Sequence, residues 1–95
     1  METGKKNDKG KLMWSLIPTG PMREIVKVFM YGMDLYGYEN WKHLEPRRVY
    51  DAIHRHITAW WDGERVDPET GLHHMAHAAT NCIFLIWLCK NRKGV

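Results

Sequence analysis

The stretch HRHITAWWDGERVDPETGLHHMAH, from His54 to His77, decides how this chain folds. On its N-terminal side, Val49, Ile53, Ile57, Trp60 and Trp61 follow Pro46 at helical spacing. Proline is favoured in a first helical turn, so a helix is expected from Pro46 to Trp61, with Asp62 and Gly63 stopping it. On its C-terminal side, Asp67, Pro68 and Glu69 read as a new start, because aspartate suits the N-cap and proline the first helical position. The helix expected there continues through Leu72, Met75, Ala76, Ala79, Ile83, Ile86 and Trp87 to Lys90. Its second half is apolar nearly all round, which marks it as central or shared between subunits.

Working back towards the N-terminus, Pro18, Gly20 and Pro21 break the chain ahead of a further amphipathic pattern. A helix is expected from near Pro21, with Thr19 or Gly20 as its cap. Met22, Ile25, Val26, Phe29, Met30 and Met33 form its apolar stripe, and Gly37 ends it. The loop YGYENWKHLE follows, with Trp41 either capping the core or stacking on a ligand. Residues 1–11, METGKKNDKGK, have no hydrophobic period and read as a flexible basic arm, before a short apolar anchor of Trp14, Leu16 and Ile17. No strand alternation and no repeat occurs. The fold class is therefore all-α: a single helical domain over 12–95 with three main helices, preceded by the arm. Its small core is expected to be completed by oligomerisation into a dimer or tetramer.

Composition narrows the class further. The 95 residues are 44% apolar and 26% charged, with five Trp and six Met, which fits one globular domain and excludes disorder. A net charge of +3 comes mainly from lysines and an arginine near the two ends, and favours an anionic partner only weakly. Nucleotide phosphates, nucleic acid and simple solubility are all compatible with it. Solubility is the commonest reason for basic tails, and nucleic acid is admitted but not favoured as a partner. Cys82 and Cys89 lie seven apart in one helical run, about 10 Å along the axis, too far to bridge. They are expected to be reduced core thiols in a cytoplasmic protein. The polar opening residues exclude a signal peptide, and the apolar run from Met75 to Cys89 is too short and interrupted for a membrane span.

The opening stretch also holds five of the six histidines, with Asp62, Glu64, Asp67 and Glu69 among them. Imidazoles and carboxylates at this density are the groups that hold divalent metal or move protons near neutral pH. His73 and His77 are i, i+4, while His74 and His77 are i, i+3, so either pair shares a helical face. His56 approaches from the preceding antiparallel helix. Glu64, Asp67 and Glu69 stand at the mouth of the helix that carries His74 and His77, as further candidates for metal ligation or acid/base work. Such a set suits Mg²⁺ or Mn²⁺, and admits Zn²⁺ or Fe²⁺. Arg55 and Lys42 are candidate phosphate contacts, although Arg55 also stands one turn from Asp51, the spacing of an ordinary helix ion pair. No Gly-rich phosphate loop, Ser/His/Asp order or adjacent His-Asp pair is present.

These residues resemble the dATP/dGTP diphosphohydrolase N-terminal family, which is linked to MazG-like all-α nucleoside triphosphate pyrophosphatases. The resemblance rests on DKGKLMWSLIP at 8–18, YG at 31–32, YGYENW at 36–41, RH at 55–56, GERVDPETG at 63–71 and HMAHAATN at 74–81. It implies metal-dependent hydrolysis of (deoxy)nucleoside triphosphates, purine by the family's name, to monophosphate and pyrophosphate. It also implies a phage or bacterial setting. The matching polar residues are Arg55, His56, Glu64, Asp67, Glu69, His74 and His77. The resemblance thereby implies His56, Asp67, His74 and His77 as the metal ligands, with Glu64 and Glu69 as acid/base candidates, and Asn40 and Trp41 are expected to help hold the base. The chain departs from the MazG-like pattern in one respect: it has no ExxE, and Lys27 stands where a second acid would follow Glu24. The alternative reading is a non-catalytic phage protein that binds nucleotide or nucleic acid.

Overall fold

A computed structural model describes residues 4–95; the first three residues of the expected arm lie outside it. Helix α1 spans Thr19–Tyr36, α2 spans Pro46–Trp61 and α3 spans His74–Asn91, with 3-10 turns at Trp14–Leu16 and Asn40–His43. Among the described residues there is no strand, only an isolated antiparallel bridge between Val66 and His73. The domain is all-α, and none of its described helices is long and apolar enough to cross a membrane.

Proline and glycine punctuate the first two helices. Extended Pro18 precedes α1, which starts two residues before Pro21. Pro21 then falls in the first turn, where its missing N–H breaks no helical hydrogen bond. Gly37, at φ 97°, closes α1 by donating its N–H to Met33 O at 2.9 Å. Pro46 opens α2 as expected. At its other end Gly63 N donates to Trp60 O at 3.0 Å and Glu64 N to Ala59 O at 2.9 Å. That pair of bonds is a Schellman cap, which requires a residue at positive φ, and Gly63 supplies it at 105°.

The start of α3 differs from expectation by six residues, with the cap at His73 instead of Asp67. Asp67 caps no helix. Its Oδ1 accepts from Glu69 N at 2.8 Å, and its carbonyl accepts from Gly71 N at 2.8 Å, so Asp67–Pro68–Glu69 is a side-chain-braced turn. An aspartate that satisfies N–H groups two residues ahead serves such a turn as well as a helix start. Left-handed Gly71, at φ 74°, then reverses the chain. Asp67 N meets Leu72 O at 2.9 Å and His74 N meets Arg65 O at 2.9 Å, closing residues 65–74 into a loop. The helix cap is His73, whose Nδ1 accepts from Met75 N at 3.0 Å.

α3 is central, as its apolar sequence implies: it packs along α2 and against α1, which do not touch each other. Val49, Ile53 and Leu88 form the α2–α3 core, joined by Leu44, Phe84, Leu85 and Trp87. Trp41 stacks on Phe84, with ring centroids 4.8 Å apart, and meets Phe29 and Trp87 edge-on. Its core-capping role is therefore realised. The stripe on α1 is only partly used. Ile25 and Phe29 are half-buried, whereas Met22, Val26, Met30 and Met33 remain exposed, as do Trp14, Leu16 and Ile17 of the expected anchor. Val28, the buried residue of the helix, lies beside the expected stripe, not on it. Cys82 and Cys89 are free but exposed, not core thiols, because α3 meets neighbours on two sides only and these positions lie on its open face. The radius of gyration is 16.6 Å, against about 12 Å for a compact chain of this length, in keeping with so much uncovered apolar surface.

Candidate metal centre

Three segments deliver the polar cluster. α2 contributes His56, the first turn of α3 contributes His74 and His77, and the closed loop between them contributes Asp67 and Thr70. The cluster is well shielded: side-chain exposure is 18% at His56, 16% at Asp67, 5% at His74 and 9% at His77. Buried polar groups need partners, and here each has one.

His56 Nδ1 and His74 Nδ1 are 2.9 Å apart. His74 Nε2 lies 2.7 Å from Glu64 Oε1, a carboxylate oxygen that only accepts, so Nε2 carries the proton and Nδ1 presents a bare lone pair. His56 Nδ1–H then donates to it. The Schellman cap on α2 sets this up, because it turns the backbone at Gly63 and aims the next residue, Glu64, at the start of α3. On the other side, His77 Nε2 is 2.7 Å from Thr70 Oγ1, which also accepts from Leu72 N. The His77 ring stacks on that of His56, with centroids 4.5 Å apart and planes within 6°. Asp67 Oδ2 stands 3.9 Å from both His56 Nδ1 and His77 Nε2, beyond hydrogen-bond range from either.

Burial pushes the His56 imidazole down to about 4, with the neighbouring His77 and His74 adding to the effect and Asp67 opposing it. His77 is lowered by the same desolvation, again opposed by Asp67. Both rings are therefore neutral near pH 7, the state in which imidazole ligates metal. One donor atom each from His56, Asp67 and His74 lies within 4.8 Å of the others. Two imidazole nitrogens and a carboxylate oxygen, converging among shielded side chains, are chemically competent to hold a divalent ion.

The other candidates fall into two groups. Glu64 touches the cluster through His74, and Glu69, exposed at the turn, reaches His77 through its charge. Arg55 is exposed on α2 beside His56; Asp51, expected one turn away as its partner, instead faces Arg47 at 3.8 Å. Asn40 and Trp41 are elsewhere. Trp41 packs on Phe84 and Trp87, seven and ten residues beyond His77 on α3, or about 10–15 Å along the helix. Lys42 is held there too, 2.7 Å from Glu39 and 4.9 Å above the Trp87 ring. Thr70 was not singled out by the sequence. Its signal is the local pattern DPET, in which a hydroxyl three residues after an Asx turn readily braces the same loop.

The family model described as dATP/dGTP diphosphohydrolase, N-terminal, matches residues 1–95. The chain is 42% identical over 90 residues to a dATP/dGTP diphosphohydrolase of Salmonella phage PMBT28. That alignment takes in 95% of this chain but 31% of the phage protein, so the chain spans about a third of that relative's length. No solved structure matches it.

Proposed function

The chain belongs to the dATP/dGTP diphosphohydrolase N-terminal family, and from that membership we propose that it acts in hydrolysis of purine (deoxy)nucleoside triphosphates to monophosphate and pyrophosphate. The observation that carries the reading is the shielded convergence of His56, Asp67 and His74 in a chain whose phage relative bears that activity in its name. His56, Asp67 and His74 would hold a divalent cation, which would supply neutralisation of the triphosphate's charge and activation of the attacking water. The chain's own part is to present the His56 and His74 imidazoles and the Asp67 carboxylate, while Glu69, exposed on the neighbouring turn, would take the proton that water loses. Arg55, exposed and adjacent to His56 in the chain, would be the contact for the triphosphate's charge. Water adds to phosphorus, the phosphoanhydride oxygen leaves with pyrophosphate, and the sum is one water consumed.

The uncovered apolar face of α1 supports association into a dimer or tetramer, and the substrate class and cysteine usage support a cytoplasmic setting in the host. The test is incubation of the purified chain with each dNTP and NTP, in Mg²⁺, Mn²⁺ or EDTA, with products resolved by ion-exchange chromatography. Monophosphate plus pyrophosphate that disappears with EDTA is the expected result. Return of every nucleotide intact sinks hydrolysis by this chain. Intact nucleotide released on denaturation would instead assign it to non-catalytic binding.

A further inference from the structure

The cation requirement above leaves open which ion and which atoms, and the geometry divides the histidines by role. His77 does not share the atoms of the converging set: its Nε2 is engaged by Thr70 at 2.7 Å, and its ring is a wall stacked against His56. His74 is different. Its Nε2 is tied to Glu64 at 2.7 Å, which fixes the tautomer and leaves Nδ1 bare towards His56 and Asp67. A carboxylate behind a histidine, orienting the ring and raising its basicity, is the usual outer partner of a metal-bound imidazole. Asp67 is anchored comparably, with Oδ1 occupied by Glu69 N and Oδ2 facing the cluster.

We infer that His56 Nδ1, His74 Nδ1 and Asp67 Oδ2 form a two-histidine, one-carboxylate centre for a first-row transition ion such as Mn²⁺, Fe²⁺, Co²⁺ or Zn²⁺, with Glu64 as its positioning residue. This rests on the cation-dependent reading of the site and deepens it. Imidazole nitrogen suits these ions, whereas Mg²⁺ demands oxygen donors and keeps its water, so two nitrogens among three protein ligands select against it. Three ligands also leave coordination positions open for water and phosphate. When the ion enters, the proton on His56 Nδ1 moves to the other ring nitrogen through solvent, and the ring stays neutral.

Cobalt provides a readout independent of nucleotide chemistry. The metal-free full chain is titrated with Co²⁺, followed by visible absorption and calorimetry, with Mg²⁺, Mn²⁺ and Zn²⁺ as competitors. Zn²⁺ and Mn²⁺ should displace Co²⁺, and millimolar Mg²⁺ should not. His74→Ala should abolish the absorption band. Glu64→Gln should weaken Co²⁺ binding about 10- to 100-fold and leave the melting of the metal-free protein unchanged, a combination that a purely structural role would not produce. Thr70→Val and His77→Gln should both retain the band; the first disturbs no ligand, and keeps the assignment testable if the second fails to fold. Absence of Co²⁺ binding, equal competition by Mg²⁺, or loss of the band in Thr70→Val overturns the inference. Nucleotide assays on the same samples separate the two claims. A Co²⁺ centre without hydrolysis sinks the function and spares the centre, and Mg²⁺-supported hydrolysis without Co²⁺ binding does the reverse.

Discussion

The two ends of α3 solve the same problem, holding α2 in place, with opposite chemistry. At the C-terminal end Leu88 is fully buried against Val49 and Ile53, and Phe84 and Trp87 clasp Trp41. At the N-terminal end His74 and His77 are buried beside the small Ala76 and Ala78, and the polar contact with α2 runs through ring nitrogens and a ring stack. The apolar end gains free energy simply by leaving water. The polar end must recover, bond by bond, the hydration it loses, which yields little net stability but fixes atoms in particular places. The contrast assigns stability to one end and chemistry to the other.

The largest expected effect tests the apolar end. Leu88→Ala removes a fully buried side chain and should cost about 2–5 kcal/mol in urea unfolding, enough to threaten the fold of so small a domain. A loss below 1 kcal/mol would break the comparison. Next comes the polar end, where His74→Ala strands His56 and Glu64; the expected loss is about 1–3 kcal/mol. A cost equal to that of Leu88→Ala would mean that the histidines carry the fold.

A gentler probe is pH. His56 falls from 6.5 to about 4 on folding, and His77 is lowered too, so between those values the unfolded chain binds more protons than the folded one. Their contribution is therefore complete above about pH 6.5 and is lost as pH drops towards 4. Thermal melting across that window should show it, and His56→Gln should flatten the slope; an unchanged slope would exclude His56 as its source. The smallest effect is expected away from both ends. Lys27→Ala breaks the exposed pair with Glu24, 2.9 Å long, at a cost of about 0.5 kcal/mol or less.

The sequence is legible where local chemistry settles the outcome alone. Gly37 and the Pro46 and Gly63 boundaries were readable because each residue has a backbone preference that no neighbour overrides. Asp67 was readable in kind but not in use, since an N-cap and a braced turn draw on the same carboxylate. The choice between them rests on the pairing of Val66 with His73 across the loop, which no local pattern announces. The apolar stripe of α1 was visible as periodicity, yet periodicity does not say what covers it, and Met22, Val26, Met30 and Met33 stay uncovered. For the candidate site, spacing on one helix grouped His74 with His77. It could not foresee that Thr70 and Glu64 would give the two rings different partners.

The closed loop of residues 65–74 carries a thermodynamic consequence of its own. Its neck is tied by backbone bonds from Asp67 to Leu72 and from His74 to Arg65, and its turn by the Asp67 side chain itself. The conformational entropy of ordering that carboxylate is thus spent during folding. Any ligand reaching Asp67 Oδ2 meets a preorganised partner, and none of its binding free energy is consumed in freezing the loop.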